Sequence, residues 1–212
     1  GDRAVAIGQG ALNAQNFTSS TDNYNIGIGY NAGNLISTGI NNTLIGGLAG
    51  DVITTGYSNT GVGKSSLGAT TTGIKNSALG HGSLLNNTTA DNNTAVGYIA
   101  LGANTTGLSN TAVGSEALDA NTTGNYNVGM GESALGANTT ANSNTAVGFF
   151  TMLSNTTGAS NAAFGKDALR ANTTGATNVA VGQDALSANT TANNNTAVGY
   201  NSLAANTTCN SN

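Results

Sequence analysis

The chain of 212 residues has no proline, no tryptophan and a single cysteine, and only 7% of its residues are charged. A lone cysteine excludes an intrachain disulfide and a metal site built from thiolates. The formal net charge of −4 comes without a basic run, so no nucleic-acid partner is expected. No apolar stretch is long enough to span a bilayer, so we expect no membrane insertion. So little charge would suggest disorder if the apolar residues were not periodic.

The cysteine and the chain start each allow a limited interpretation. Cys209 lies in a column otherwise held by glycine or alanine, as at Gly107 and Ala141. Cys209 is either a small side chain that fills a small space, or a residue that forms a bond to another chain near the end of the array. The sequence begins at Gly1 within a repeat, without a signal peptide, which predicts a processed or excised piece whose targeting cannot be read.

What the sequence does contain is a glycine every 17 residues from Gly29 to Gly199. A short fixed period is typical of repeat architectures, in which each unit buries its apolar face against its neighbours. Thr-Ala-Val before the glycine predicts a short strand, and Asn-Thr-Thr-Gly predicts a turn. We therefore predict an all-β parallel β-solenoid or β-roll of about 12 coils, each rising about 4.8 Å. The predicted domain is a single rod-like array over residues 1–212, with an irregular first unit 1–24 and regular units 25–212.

Two columns of large apolar residues predict the core. The residue before the glycine is always large and apolar. The residue four positions after it is leucine in nine of twelve units; Met152 replaces it once, and Gly33 and Gly50 are the two exceptions. The predicted core residues are Val96, Leu101, Val113, Leu118, Val147, Val181 and Leu186.

Columns of small residues lie between them. Neighbours in a strand face opposite sides, so Ala112 should face away from Val113, towards something that packs closely. A second and a third copy of the chain would fit, and Leu44 is the outlier of the column. The predicted chain–chain contacts are Ala95, Ala112, Ala146, Ala163 and Ala180.

An asparagine stands four residues before each glycine of the series. Identical amides one strand spacing apart can hydrogen-bond along the stack as a ladder. The predicted ladder residues are Asn93, Asn110, Asn127, Asn144, Asn161, Asn178 and Asn195. The Asn-Thr-Thr turns add further ladders, and they also match the glycosylation acceptor pattern as a by-product of the repeat.

Catalytic chemistry finds little support in the pattern. His81 is the only histidine and has no fixed partner, so no acid–base or nucleophilic pair can be proposed. Asp167 and Asp184 should lie one coil apart and could hold a cation, but Lys166 stands beside them. We therefore predict a protein that is not an enzyme, with no cofactor and no metal site.

The repeat also resembles a known family. Asn144-Thr145-Ala146-Val147-Gly148, and Ala4-Val5-Ala6-Ile7-Gly8 near the start, resemble the head repeats of YadA-like trimeric autotransporter adhesins. The longer segment 195–200, which is followed by Asn-Thr-Thr, is similar to the repeat arrays of phage and bacterial tail-fibre proteins. The resemblance covers practically the whole chain. It implies a left-handed β-roll, three chains side by side, and display outside a cell or on a virion. The unit here is longer than the usual adhesin unit, and no ligand residues carry over.

These observations predict a structural and adhesive module of an extracellular trimeric fibre, either adhesin head or tail fibre. The expected partners are further copies of the chain and a glycan, matrix or host-surface ligand. The candidate ligand surface consists of Tyr30, Tyr98, Phe149, Phe150 and Tyr200. One alternative is a self-assembling extracellular filament subunit whose exposed strand edge pairs with the next copy. The other is an ice-binding β-solenoid that uses its threonine ranks.

Overall fold

The computed structural model of the chain describes residues 3–17 and 22–212. The predicted irregular unit 1–24 therefore lies partly outside the described residues. By its internal contacts the chain divides into two compact units, Gly1–Thr106 and Gly107–Asn212. The first unit contains β1 Val5–Ile7, β2 Ile26–Ile28, β3 Thr43–Ile45, β4 Thr60–Val62, β5 Ser77–Leu79 and β6 Thr94–Val96. The second contains β7 Thr111–Val113, β8 Val128–Met130, β9 Thr145–Val147, β10 Ala162–Phe164, β11 Val179–Val181 and β12 Thr196–Val198.

Within each unit every strand pairs in parallel with the next strand in the chain. Thr43 pairs with Thr60, and Ala146 pairs with Ala163, so that equivalent positions of successive repeats meet. The described residues contain no helix, and they make about eleven turns with 17-residue spacing. The prediction of an all-β parallel β-solenoid is thereby confirmed.

Hydrogen bonds between successive coils continue beyond the strands. In the second unit the amide of Leu118 donates to the carbonyl of Ala134 at 3.0 Å, and that of Thr122 donates to Thr139 at 2.8 Å. Backbone groups on the irregular sides of a coil thus find partners in the adjacent coil, as buried amides and carbonyls require.

The recurrent glycine is required both by its backbone angle and by its surroundings. Gly46 has φ +138°, a region that side chains with a Cβ rarely adopt. A Cβ on Gly46 would lie 2.5 Å from the carbonyl oxygen of Gly63 in the next coil. Overlap between an added Cβ and the glycine of the next coil recurs along the column, which explains why a glycine is found at every 17th residue.

Leucine four positions after the glycine also has a left-handed backbone. Leu101 and Leu118 have φ of 52° and 53°, although both are fully buried. This conformation costs an ordinary residue roughly 1–2 kcal/mol. Burying a leucine side chain gains about 1.5–3 kcal/mol, so the buried side chain outweighs the strained backbone.

The predicted core is correct for the leucines and wrong for the valines. Leu101, Leu118 and Leu186 are fully buried. The valines of the strands point outwards instead: Val96, Val113 and Val147 are half-buried, and Val181 is exposed. The middle residue of each regular strand is the one that faces inwards.

The predicted chain–chain contacts are also wrong, because these alanines lie inside the coil. Ala95, Ala112, Ala146, Ala163 and Ala180 have no exposed surface within the single chain. The column is small because leucine side chains occupy the space opposite to it. A Cβ on Gly129, the glycine of this column in β8, would lie 3.2 Å from Cγ of Leu118.

The three exceptions noted in the sequence compensate one another. Leu44 is the large residue in the small column, and it is fully buried. A Cβ on Gly33 or on Gly50 would lie 3.0 Å or less from a Leu44 methyl group. A Cβ at the same two positions would also meet the Cδ1 atoms of Ile36 and Ile53, which are fully buried. Leu44 together with these two isoleucines therefore fills the interior where the leucine column is interrupted.

Candidate functional surfaces

The outer face of the strands is an uncharged surface with aliphatic and aromatic side chains. The third residue of each strand forms one rank, which is partly or largely exposed. In the first unit this rank is Ile7, Ile28, Ile45, Val62, Leu79 and Val96. In the second unit it is Val113, Met130, Val147, Phe164, Val181 and Val198. We call these residues the outer aliphatic rank.

A second outward rank runs parallel to it. It is formed by the first residue of each strand. This residue is threonine in half of the strands, as at Thr43 and Thr145, and it is Val128, Ala162 or Val179 in three strands of the second unit. No outward position of β1–β12 carries a charged residue. The strand face is thus a continuous surface within each unit on which no charged residue occurs. Sequence reasoning missed this surface because it placed the valines inside.

The predicted asparagine ladder is buried and continuous within each unit. In the second unit the Asn161 side chain donates to Oδ1 of Asn144 at 3.2 Å and to the carbonyl of Gly175 at 2.9 Å. The Asn161 amide also donates to Oδ1 of Asn144. All seven ladder residues are buried, and each donates at least one hydrogen bond to a residue of an adjacent coil. Their amides are engaged in holding coils together.

The asparagine of the Asn-Thr-Thr turn forms a second buried ladder. Asn155 donates to Oδ1 of Asn138 at 3.0 Å and to the carbonyl of Gly158 at 2.9 Å. Both residues have no exposed surface. An enzyme could not reach these glycosylation-type asparagines in the folded chain.

The two threonines of the turn have different environments. The first is half-buried, and its hydroxyl donates to a backbone carbonyl of the next coil, as Thr156 does to Thr173 at 3.0 Å. The second is exposed in every regular coil. We call these second residues the turn threonine rank: Thr38, Thr55, Thr72, Thr89 and Thr106 in the first unit, and Thr123, Thr140, Thr157, Thr174, Thr191 and Thr208 in the second.

The aromatic residues of the candidate ligand surface are mostly exposed. Tyr30, Tyr98, Phe149 and Tyr200 present 55%, 51%, 40% and 71% of their surface to solvent. Phe150 is half-buried and stacks on Phe149, with ring centroids 3.9 Å apart. In the first unit Tyr98 stacks on His81 at 5.6 Å with the rings nearly parallel.

The charged residues of the second unit do not form a cation site. Asp167 is buried and lies 3.6 Å from both Lys166 Nζ and Arg170 Nε, so its charge is already matched. Asp184 accepts a hydrogen bond from Gln183 at 3.1 Å. Among the described residues no three histidine, cysteine or acidic side chains come together in a way that could hold a metal ion.

One cleft in the second unit is lined by carboxylates. It has a volume of about 420 Å³ and is lined by Glu116, Asp119, Ser133, Gly136, Ala137, Leu153 and Ser154. Burial raises the pKa of the Asp119 carboxyl above its ordinary value, and the neighbouring charge of Glu116 raises it further.

The exposed Cys209 does not fill a buried slot. No described segment is a helix of the length and apolarity needed to cross a membrane. Comparisons of the chain with models of known protein families, with characterised proteins and with solved structures find no match.

Proposed function

We propose that the chain is a non-enzymatic structural and adhesive module of an extracellular fibre, in which three left-handed solenoids associate side by side. The observation that carries this proposal is the outer aliphatic rank together with the charge-free strand face. The likeness of the repeat to trimeric adhesin heads and tail fibres supports the same arrangement.

The strand face favours other copies of the chain as its partners. Contiguous exposed apolar surface on a soluble protein usually marks an interaction site. Association of parallel copies would bring equivalent aliphatic residues together at every coil, since all copies share the 17-residue spacing. Each buried aliphatic side chain would then add about 1.5–3 kcal/mol when it is fully removed from water.

The assembly is tested by placing charge on the strand face. Val147→Asp and Val181→Asp should abolish the trimer seen by sedimentation, because each buries a carboxylate between copies. Both side chains point away from the interior, so circular dichroism should show an intact fold. Thr157→Asp, on the turn threonine rank, is the matched control and should remain trimeric. A parent chain that sediments as a monomer would contradict the proposed assembly.

The adhesive role rests on the exposed aromatic residues. Tyrosine offers a flat apolar ring with a polar group, which suits contact with sugars or with extended protein ligands. Binding to a glycan and matrix-protein array should be reduced when Tyr98 and Tyr200 are replaced by alanine. Replacing Tyr126, an exposed tyrosine in another column, should leave it unchanged. An array with no bound ligand would contradict adhesion while leaving the fibre assembly standing.

Ice binding is the second candidate, and the turn threonine rank favours it. Exposed threonine hydroxyl and methyl groups repeat at the coil spacing of about 4.8 Å within each unit. Thermal hysteresis of the purified chain would support this function, and its loss in Thr140→Leu/Thr157→Leu would locate it on the rank. Freezing without hysteresis would reject it.

A further inference from the structure

On one side of the second unit, the side chains of successive coils follow a regular order of acidic, aromatic and basic residues. Three columns lie one, two and five positions after the recurrent glycine. Along successive coils they hold Ser115, Glu116 and Asp119; then Glu132, Ser133 and Gly136; then Phe149, Phe150 and Leu153; then Lys166, Asp167 and Arg170. We call these twelve residues the ordered strip. It runs from acidic through aromatic to basic.

Backbone hydrogen bonds fix these residues in stacked columns. The amide of Ser133 donates to the carbonyl of Ser115 at 2.9 Å, and that of Phe150 donates to Glu132 at 3.1 Å. The amide of Asp167 donates to Phe149 at 3.0 Å. Three coil steps therefore separate the first acidic coil from the basic coil, a distance of roughly 14 Å at the usual strand spacing.

The acidic end is a cavity with two carboxylates and no basic residue on its lining. Glu116 is exposed and Asp119 is half-buried, and both line the cleft. Burial and the Glu116 charge both raise the pKa of Asp119. A cation entering the cleft would relieve both effects.

The basic end carries the only two basic residues of the second unit, Lys166 and Arg170. Their side chains are 55% and 52% exposed, and between them they share one buried carboxylate, Asp167. This coil therefore keeps a surplus positive charge at the surface. The Arg170 guanidinium lies 5.7 Å from the centre of the Phe150 ring, which holds it beside the aromatic coil.

We infer that the ordered strip is a self-complementary docking surface for a second copy of the chain running in the opposite direction. A two-fold axis between the coils of Glu132 and Phe149 places Glu116 and Asp119 of each copy opposite Lys166 and Arg170 of the other. The same axis sets the aromatic coil of each copy against the Glu132 coil of the other.

The order of charges selects this occupant and this direction. A parallel second copy would set acidic coil on acidic coil and basic on basic, which costs free energy. In the antiparallel arrangement the acidic end of each copy faces the basic end of the other. The same contact is therefore made twice, as a two-fold interface requires. The aromatic residues Phe149 and Phe150 lie next to the two-fold axis, near the middle of the strip, where binding energy usually concentrates. The strip lies outside the strand residues, so it is independent of the proposed fibre contact.

A charge-swap experiment on the full chain tests this inference. The first variant is Glu116→Lys/Asp119→Lys. The second is Lys166→Glu/Asp167→Asn/Arg170→Glu, in which the asparagine avoids a buried carboxylate between two new acids. The parent chain should show a concentration-dependent increase above its basal mass in sedimentation, weakened by salt: a doubling when the basal species is a monomer, and at least a doubling when it is a trimer that presents three strips. Each variant alone should lose the doubling, and an equimolar mixture should recover it, because both contacts become complementary again.

Two further variants make the result specific. Glu116→Gln/Asp119→Asn removes the charge without repulsion and should weaken the doubling roughly tenfold or more. Lys64→Glu/Lys75→Glu reverses two exposed charges of the first unit and should change nothing. Circular dichroism confirms that each variant is folded. A parent chain without the doubling, variants that associate as the parent does, or a mixture that fails to recover the doubling would each overturn the inference. None of these outcomes bears on trimer formation through the strand face.

Discussion

Single positions in this chain are fixed by the coil above or below rather than by their sequence neighbours. Gly46 and Gly47 show this most directly, since they are adjacent and chemically identical. The first would overlap the next coil if it carried a Cβ, whereas a Cβ on the second has no atom within 4 Å. Backbone angle and space thus distinguish two glycines that the sequence alone does not.

We therefore expect Gly46→Ala to destabilise the fold and Gly47→Ala to be tolerated. The first combines a strained φ with overlap on a backbone carbonyl, which should lower the free energy of unfolding by roughly 2–4 kcal/mol. The second should change it by less than about 1 kcal/mol, since it only restricts the unfolded chain. Denaturant unfolding of the pair measures the difference. Equal effects of the two substitutions would mean that the close contact between successive glycines is not what requires a glycine every 17 residues.

Asparagines in the ladder should matter according to their burial. Asn144 is buried, and its Oδ1 accepts from the amide and the side chain of Asn161. Asn142 makes the same two contacts with Asn125 but is exposed. Asn144→Ala leaves buried donors without partners and should cost roughly 2–4 kcal/mol, whereas water can replace Asn142, so that Asn142→Ala should cost less than about 1 kcal/mol. Thermal and denaturant unfolding of both variants provide the check.

Asp119 should make stability depend on pH. Its pKa in the folded chain is raised, so the ionised carboxylate is less favourable in the fold than in the unfolded chain. The resulting loss of stability is absent below the unfolded pKa of about 3.9 and is complete once pH has risen through the raised folded pKa. Asp119→Asn should therefore raise the Tm at pH 7 and leave it unchanged near pH 3. Glu132→Gln controls for the removal of one negative charge, and dilute samples avoid self-association. An Asp119→Asn variant with a lower Tm at pH 7 would refute the assignment.

The strands show where sequence reasoning succeeds and where it stops. The three residues before each recurrent glycine, Thr-Ala-Val in four strands and similar triplets in the others, are sufficient to predict the strands and their parallel stacking, because β-formers and the fixed period allow little else. Alternation also required Ala146 and Val147 to face opposite sides. It could not tell which side was inside, and residue size suggested the wrong one. The interior is narrow, and a leucine from the following loop already fills it, so only alanine or glycine fits opposite. The compensating trio of Leu44, Gly33 and Gly50 was the one signal in the sequence that could have revealed this.

The same substitution at these two adjacent positions tests the orientation. Ala146→Leu forces a large side chain against the leucine column and should cost roughly 1–3 kcal/mol or more. Val147→Leu enlarges an outward side chain and should change the free energy of unfolding by no more than about 0.5 kcal/mol. Denaturant midpoints of the two variants decide between the faces. If Val147→Leu were more destabilising than Ala146→Leu, the valines and not the alanines would face the interior.

The candidate surfaces were predicted less completely than the fold. The exposed aromatic residues and the asparagine ladder follow from columns that can be aligned by eye. The outer aliphatic rank and the ordered strip depend on which columns point outwards and which stack beside each other. Those relations are set by hydrogen bonds between coils, such as the one from Phe150 to Glu132, and have no local signature in the sequence.

Stability in a repeat architecture comes mainly from contacts between adjacent units, so register should matter more than length. Deleting residues 142–158 removes one period of 17 and joins Ala141 to Ala159, which keeps every column in place. This variant should fold with an unchanged circular dichroism signal per residue and a modestly lower Tm. Deleting residues 143–158 removes 16 and leaves one coil a residue too long, so the coil after the junction is shifted by one position against the coil before it. That shift sets Gly165 opposite Glu132 instead of a glycine and turns inward residues of the junction coil outwards, so the Tm should fall well below that of the 17-residue deletion. Since the two deletions differ by one residue, similar stabilities would show that the 17-residue register does not hold the coils together.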